Sequence, residues 1–226
     1  MKTSVTICRN EFDLPSTGGR NSAEIRILND QAFVRLPELF EKISEQIASD
    51  LLACGDSEPA FSLFKRILSA EALAHDFKTD WDSRSYQFFC TPDTKLNEPA
   101  ILAVSEDISD DLARLGLNRK MWGGDDYPYC GFGVKDRGEL ISWCVENSHF
   151  LAESETIVGV RTEEAYRRKG YALSNTVCLC RKLLWRGMTR IFYECGVENR
   201  ASFGLARKAG LAYIGERLYI HLSFKI

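Results

Sequence analysis

Apolar residues recur along this chain with two periods, and the switches between them lay out a series of strands and helices. Short apolar or alternating runs at Thr3–Cys8 and Ala23–Leu28 read as strands around a Gly18-Gly19 turn. From Leu36 to Cys54 the period lengthens, and Leu36, Leu39, Phe40, Ile43, Ile47 and Leu51 fall on one helical face. Gly55-Asp56-Ser57 breaks that helix, and a second amphipathic helix is expected from Glu58 to Phe77. Tyr86–Thr91 reads as a strand. The polar stretch Thr91–Pro99, with Pro92 and Pro99, is the best boundary candidate, giving an N-terminal segment 1–95 and a second domain 96–226.

Beyond that boundary, Ala100–Val104 has the character of a strand and Ser109–Leu115 that of a short helix. Tyr127–Val134 and Glu139–Val145 flank the link Lys135-Asp136-Arg137-Gly138, a hairpin signal. A strand at Glu155–Thr162, a helix at Gly170–Trp185, a strand at Arg190–Cys195 and a helix at Arg200–Ala209 follow. Leu211–Phe224 is apolar and β-branched enough for one or two strands. In the long helix, Leu173, Val177, Cys180 and Leu184 form the expected buried stripe.

Composition narrows the classes. With 226 residues, 45% hydrophobic and 27% charged, the chain reads as one large globular domain or two small ones. No apolar run approaches membrane-spanning length, and the apolar stretch at the N-terminus is too short for a signal peptide, so a cytoplasmic protein is expected. The eight cysteines are scattered without a Cys-x-x-Cys pair, and the three histidines lie far apart, so no metal site is expected. Charge is uneven. The net value is −3, yet Arg161 to Arg190 holds eight basic residues against Glu163 and Glu164, which leaves −9 elsewhere. A local basic patch on an acidic protein suits a small polyanion and argues against a nucleic-acid partner.

That patch contains the most specific feature of the chain. The strand ending at Thr162 runs into Glu164-Ala165-Tyr166-Arg167-Arg168-Lys169-Gly170-Tyr171-Ala172, and a helix leaves it. Such a turn aims backbone N–H groups and the positive end of a helix dipole at one point, which makes an anion cradle. No Gly-Lys-Ser/Thr follows, so the spacing is not that of a Walker loop.

Two blocks together carry a family resemblance. Arg167-x-x-Gly170-x-Ala172 is followed, one helix and one strand later, by Asn199-x-x-Ser202-x-x-Leu205 and Gly210-Leu211. In this arrangement the sequence resembles the GNAT superfamily of acyl-CoA-dependent N-acyltransferases. Gly138–Cys144 and Thr162–Arg167 also look like its zwittermicin-resistance-type branch. The likeness is good from Gly131 to Leu211 and poor over the first 95 residues.

The resemblance implies an α/β fold: a mixed, mostly antiparallel central sheet flanked by helices, with an N-terminal α/β extension that shapes the acceptor site or a dimer contact. It implies acetyl-CoA as acyl donor, no metal, and an amine acceptor, either a small molecule or a peptide or protein amine. Val160, Arg161 and Thr162 would pair through backbone with the pantetheine arm. Arg167, Arg168, Lys169, Gly170, Tyr171 and Ala172 would wrap the pyrophosphate. Asn199 would bond the pantetheine arm or cap its helix, with Ser202 beside it. Acyl transfer also needs a neutral amine, which costs about 4 kcal/mol for an alkylamine at pH 7, so a base is useful. Glu155 is the candidate, with Glu153 and Glu194 as alternatives. Many family members protonate the leaving thiolate with a tyrosine that here is Ala206. Tyr213 is the first substitute, with Tyr193 and Tyr219 close by. Asp125 and Asp126, in a Gly- and aromatic-rich stretch, are the candidates for holding a cationic acceptor. Loss of the tyrosine at Ala206 also admits a non-catalytic CoA-binding or partner-binding module on the same fold, and a homodimer remains open.

Overall fold

A computed structural model describes residues 4–9, 21–28, 31–54, 56–98, 104–112, 130–146 and 154–224. The chain forms two compact units, one of Met1–Tyr86 with Ile214–Ile226 and the other of Gln87–Tyr213. The sequence expectation puts one boundary at residue 95, and the first break falls between Tyr86 and Gln87. The return of the C-terminal strand to the first unit has no counterpart in that expectation.

In the first unit, β1 (Ser4–Arg9) pairs parallel with β3 (Gln31–Leu36), β3 pairs antiparallel with β2 (Asn21–Leu28), and β2 pairs antiparallel with β10 (Ala212–Phe224). β1 and β2 are therefore not hairpin partners, and Gly18-Gly19 lies outside the described residues. The helix expected from Leu36 starts later. Pro37 drives the residue before it toward extended backbone, so Leu36 ends β3. A 3-10 stretch (Glu38–Ile43) then leads into α1 (Ser44–Leu52). Helix α2 (Ser57–Ala74) buries Ala60, Phe61, Phe64, Leu68 and Ala72, a single stripe at helical spacing. That stripe meets Ala23, Ile25, Ile27, Val34, Leu218, Ile220 and Leu222 from the strands.

On the opposite face of β2, Glu24 is 4% exposed and lies against Arg26, Arg35 and Arg217, with contacts of 2.6–2.9 Å. Burial alone would raise its carboxyl; the three guanidiniums outweigh that and hold it below the ordinary carboxylate value. A carboxyl lowered in the folded chain contributes stability above its unfolded value, about pH 4.3, and loses it as pH falls through the folded one. Urea midpoints measured downward from that pH will decline, and Glu24→Gln will flatten the decline. An unchanged slope in that variant would mean that other carboxylates carry the acid sensitivity.

Strand β4 (Phe77–Cys90) begins well before the expected Tyr86, because its first half is polar and exposed and carries no alternation to read. In the second unit, β5 (Glu106–Asp107), β6 (Gly131–Asp136), β7 (Glu139–Glu146) and β8 (Glu155–Thr162) form an antiparallel run, and β9 (Arg190–Gly196) joins β8 in parallel. The β6–β7 turn is two residues, Arg137 and Gly138, both at positive φ, the pairing that suits strand twist. Helix α3 (Tyr171–Trp185) packs on β6, β7 and β8, and α4 (Arg200–Ala209) packs on β9 and α3. The architecture is the mixed, mostly antiparallel α/β sheet with flanking helices that the sequence implied. Ala100 to Ala103 and the residues after Leu112 in the expected short helix lie outside the described residues.

Candidate active site

The parallel ladder between β8 and β9 is short. It runs from Glu155↔Arg190 through Thr156↔Ile191 and Ile157↔Phe192 to Val158↔Tyr193. Both strands continue past the last pair, β8 as Gly159–Thr162 and β9 as Glu194–Gly196. β8 remains paired to β7 through Thr162 on its other side. A strand held on one edge only, beside a second strand diverging from it, presents backbone donors and acceptors to whatever lies in the fork. Val160, Arg161 and Thr162 all lie on this stretch.

The fork opens toward the basic turn. Glu163 N–H donates to Ile141 O (2.9 Å), and Tyr166 and Arg167 N–H donate to Glu163 O and Glu164 O, which curls the chain into one 3-10 turn (Glu164–Tyr166). Arg167 Nε folds back to donate to Thr162 O at 3.2 Å. Tyr166 donates its hydroxyl to Asp136 (2.7 Å), and Lys169 Nζ sits 5.0 Å from the Tyr166 ring centre. Arg168 has φ 61° and Gly170 has φ 84°. Left-handed backbone at Arg168 is costly for a residue with a Cβ, and such strain collects at ligand clamps. Gly170 is the N-cap of α3 and offers no side chain to the first-turn N–H groups, so those donors face the exposed turn. Arg167 to Gly170 are exposed and Tyr171 and Ala172 half-buried. The turn has the form of an anion cradle, and its donor set fits a diphosphate.

The second block lies at the β9 side of the fork. Asn199 caps α4, its Oδ1 accepting the Ser202 N–H at 3.0 Å. Ser202 Oγ is 2.5 Å from the hydroxyl of Tyr193, the last laddered residue of β9. Tyr193 is 2% exposed, and burial pushes its phenol well above the ordinary value. Ala206 is fully buried. Tyr213 is 40% exposed, its ring edge-on to Phe88 at 5.4 Å.

Glu155 opens β8 at the laddered end, with Arg190 Nη1 2.9 Å from its carboxylate. It stands three residues before Val158, about 10 Å along the strand from the fork. Glu194 is the first residue of β9 past the fork and is half-buried. Glu153, Asp125 and Asp126 lie outside the described residues. Cys195, 5% exposed beside the fork, has its thiol raised by burial, which disfavours a nucleophilic thiolate.

The expected stripe of α3 is only partly right. Val177 and Cys180 are buried, but Leu173 and Leu184 are half-exposed, while Ser174, Asn175 and Thr176 are fully buried. No residue pattern marks these three, since polar residues in a helix ordinarily read as its exposed face.

No protein-family model matches the chain, and no curated protein does. Solved structures do. A protein assigned to the GNAT family of acetyltransferases from Novosphingobium aromaticivorans superposes with a TM-score of 0.52 at 16% identity, over 67% of this chain and 69% of that one. A GCN5-related N-acetyltransferase from Kribbella flavida gives 0.47 at 16% identity, over 70% of this chain and 64% of its own. A GCN5-related N-acetyltransferase-like protein from Streptococcus suis gives 0.48 at 17%, over 72% and 68%. At such identities a likeness speaks for architecture alone. Superposition on the Novosphingobium protein, together with the forked strands and the glycine-capped helix, establishes that this chain has the GNAT fold.

Proposed function

We propose that the protein is an acyl-CoA-dependent N-acyltransferase, moving an acetyl group from acetyl-CoA to an amine by direct attack in a ternary complex. The observation that carries this reading is the fork: β8 loses its β9 partner after Val158 and leads within a few residues into the anion cradle. A thioester arm lying along β8 would pair with Val160 to Thr162, and one of their N–H groups would polarise the thioester carbonyl. The diphosphate would rest on the first turn of α3 between Arg167 and Ala172, with Arg168 and Lys169 adding charge. Bound acetyl-CoA supplies the activated acyl group; this chain orients it and moves protons.

For those protons we favour residues at the fork. Glu194 takes the base role over Glu155, because Glu155 is ion-paired on the laddered side. Ser202 stands as the hydroxyl that donates to the departing thiolate, with the Tyr193 hydroxyl hydrogen-bonded behind it; burial disfavours a free tyrosinate, so the proton released by the attacking amine restores the pair. We prefer this pair to Tyr213, whose ring packs on Phe88. Asp125 and Asp126 are retained as the acceptor's carboxylates, and the cytoplasm as the compartment. Placement in the zwittermicin-resistance-type branch rests on the Gly138–Cys144 and Thr162–Arg167 strings.

Calorimetry with acetyl-CoA and a thiol-release assay over a panel of amines test the reading together. Saturable binding with amine-dependent release is expected. Tyr193→Phe will then lower kcat by about tenfold or more with KM little changed, and Glu194→Gln will lower kcat by about a hundredfold. Absence of acetyl-CoA binding would sink the proposal. Binding without turnover would favour a non-catalytic CoA-binding module, which the alanine at position 206 permits.

A further inference from the structure

Ser174 and Asn175 lie near the start of α3, and both are fully buried, as is Ser142 on β7. Polar side chains in such a place are unfavourable unless paired. These are paired in one continuous relay. Asn175 Nδ2 donates to Ser142 Oγ at 3.0 Å, and Ser142 Oγ lies 2.7 Å from Thr162 Oγ1 and 3.3 Å from Arg161 O. At the other end, Ser105 Oγ lies 2.7 Å from Asn175 Oδ1 and 2.6 Å from Ser174 Oγ. With Thr162 donating to Ser142 and Ser142 to Arg161 O, the Ser142 hydroxyl accepts from Asn175 and Thr162 and donates once.

The ends of this relay are informative. Thr162 is the last residue of β8 and Asn175 lies just beyond the first turn of α3, so they bracket the basic turn, residues 163–170. We infer that the Asn175–Ser142–Thr162 relay is a tether that sets the gap between the two ends of the anion turn, making Asn175 a positioning residue for the ligand's diphosphate. An apolar pair could fill the same volume but would not fix direction. Hydrogen bonds to a strand terminus and a helix start hold both at one separation and orientation. The turn itself cannot do this, since residues 167–170 are exposed and Arg168 is strained. The tether is read from geometry, whereas its ligand rests on the acyl-CoA reading above.

The consequence is selective. Loosening the tether should disturb contacts to the diphosphate and spare those along β8 to the pantetheine arm. Asn175→Ala is expected to weaken acetyl-CoA binding by about tenfold, the scale of one hydrogen bond to a charged group. Affinity for S-acetylpantetheine, which lacks the diphosphate, should be unchanged. Without any ligand, amide hydrogen exchange across residues 163–172 should accelerate in the variant while β9 stays protected. Ser142→Ala, which leaves Asn175 bonded to Ser105, gives the same split if Asn175→Ala does not fold. Equal losses for both donors, or unaltered exchange across the turn, would overturn the tether. If the wild type binds no acetyl-CoA, the acyl-CoA reading falls, and loop exchange alone decides the tether.

Discussion

Alanine at Gly215 will destabilise the protein by about 3 kcal/mol or more, on the scale of strained backbone combined with overpacking. Gly215 has φ 145° in β10, opposite Leu28 of β2. A Cβ there would lie 1.9 Å from Ile27 O and 2.9 Å from Leu28 Cα. Those are backbone atoms of a paired strand, so no rotamer change relieves the overlap. The β2–β10 ladder must open, and the core face carrying Ile25, Ile27, Leu218 and Ile220 opens with it. Gly204 provides the matched control. It lies inside α4, and among the described residues nothing beyond its own helix backbone stands within 4 Å of where a Cβ would sit. Gly204→Ala should stabilise by roughly 0.5–1 kcal/mol through helix propensity. Urea unfolding of both variants checks the opposite signs. A Gly215→Ala protein as stable as the wild type would mean that the β2–β10 register is wrong.

The region that carries the candidate site was the most readable part of the sequence, and the reason is local. Glu155–Thr162 holds a short apolar run between polar ends, Gly170 and Gly210 punctuate the two helices, and Asn199 is a strong cap, so strand, turn, helix, strand and helix each follow from neighbouring residues. The first unit was harder because its order depends on distant partners. β1 reaches past β2 to pair with β3, and β10 returns from the far end of the chain. β3 was hidden because its last residue, Leu36, also fits the helical stripe continued by Phe40, Ile47 and Leu51, and only Pro37 marks the switch.

Within the candidate site, the sequence placed Glu155 first among the carboxylates, whereas the proposal takes Glu194. Distance from the fork depends on where the β8–β9 ladder ends, and that is a pairing between residues far apart in sequence. The ladder stops at Tyr193, which brings Glu194 to the fork and leaves Glu155 beside Arg190. The Ser142–Asn175 relay was invisible for a related reason. Polar residues in a helix are ordinarily read as its wet face, and only hydrogen bonds from β7 and Ser105 reverse that reading.

Valine at Gly170 will reduce acetyl-CoA affinity by about a hundredfold, corresponding to roughly 3 kcal/mol of forfeited hydrogen bonding and added strain. Gly170 holds φ 84° as the N-cap of α3, a conformation a β-branched residue adopts only at a cost. Valine will either unwind the first helical turn or swing the turn outward, and both outcomes withdraw the N–H groups of Tyr171 and Ala172 from one focus. Its side chain would also stand where diphosphate oxygens approach the backbone. The position is exposed and its strain is local, so the loss of affinity should greatly exceed any loss of fold. Calorimetry with acetyl-CoA, beside far-ultraviolet circular dichroism and a thermal melt, separates the two. Arg168→Ala makes the useful comparison: it removes a charge and relaxes no glycine-dependent turn, so it should weaken binding far less and mainly at low salt. Undiminished affinity in a folded Gly170→Val protein would remove the diphosphate from this turn, and with it the link between the fork in the sheet and the donor it is proposed to hold.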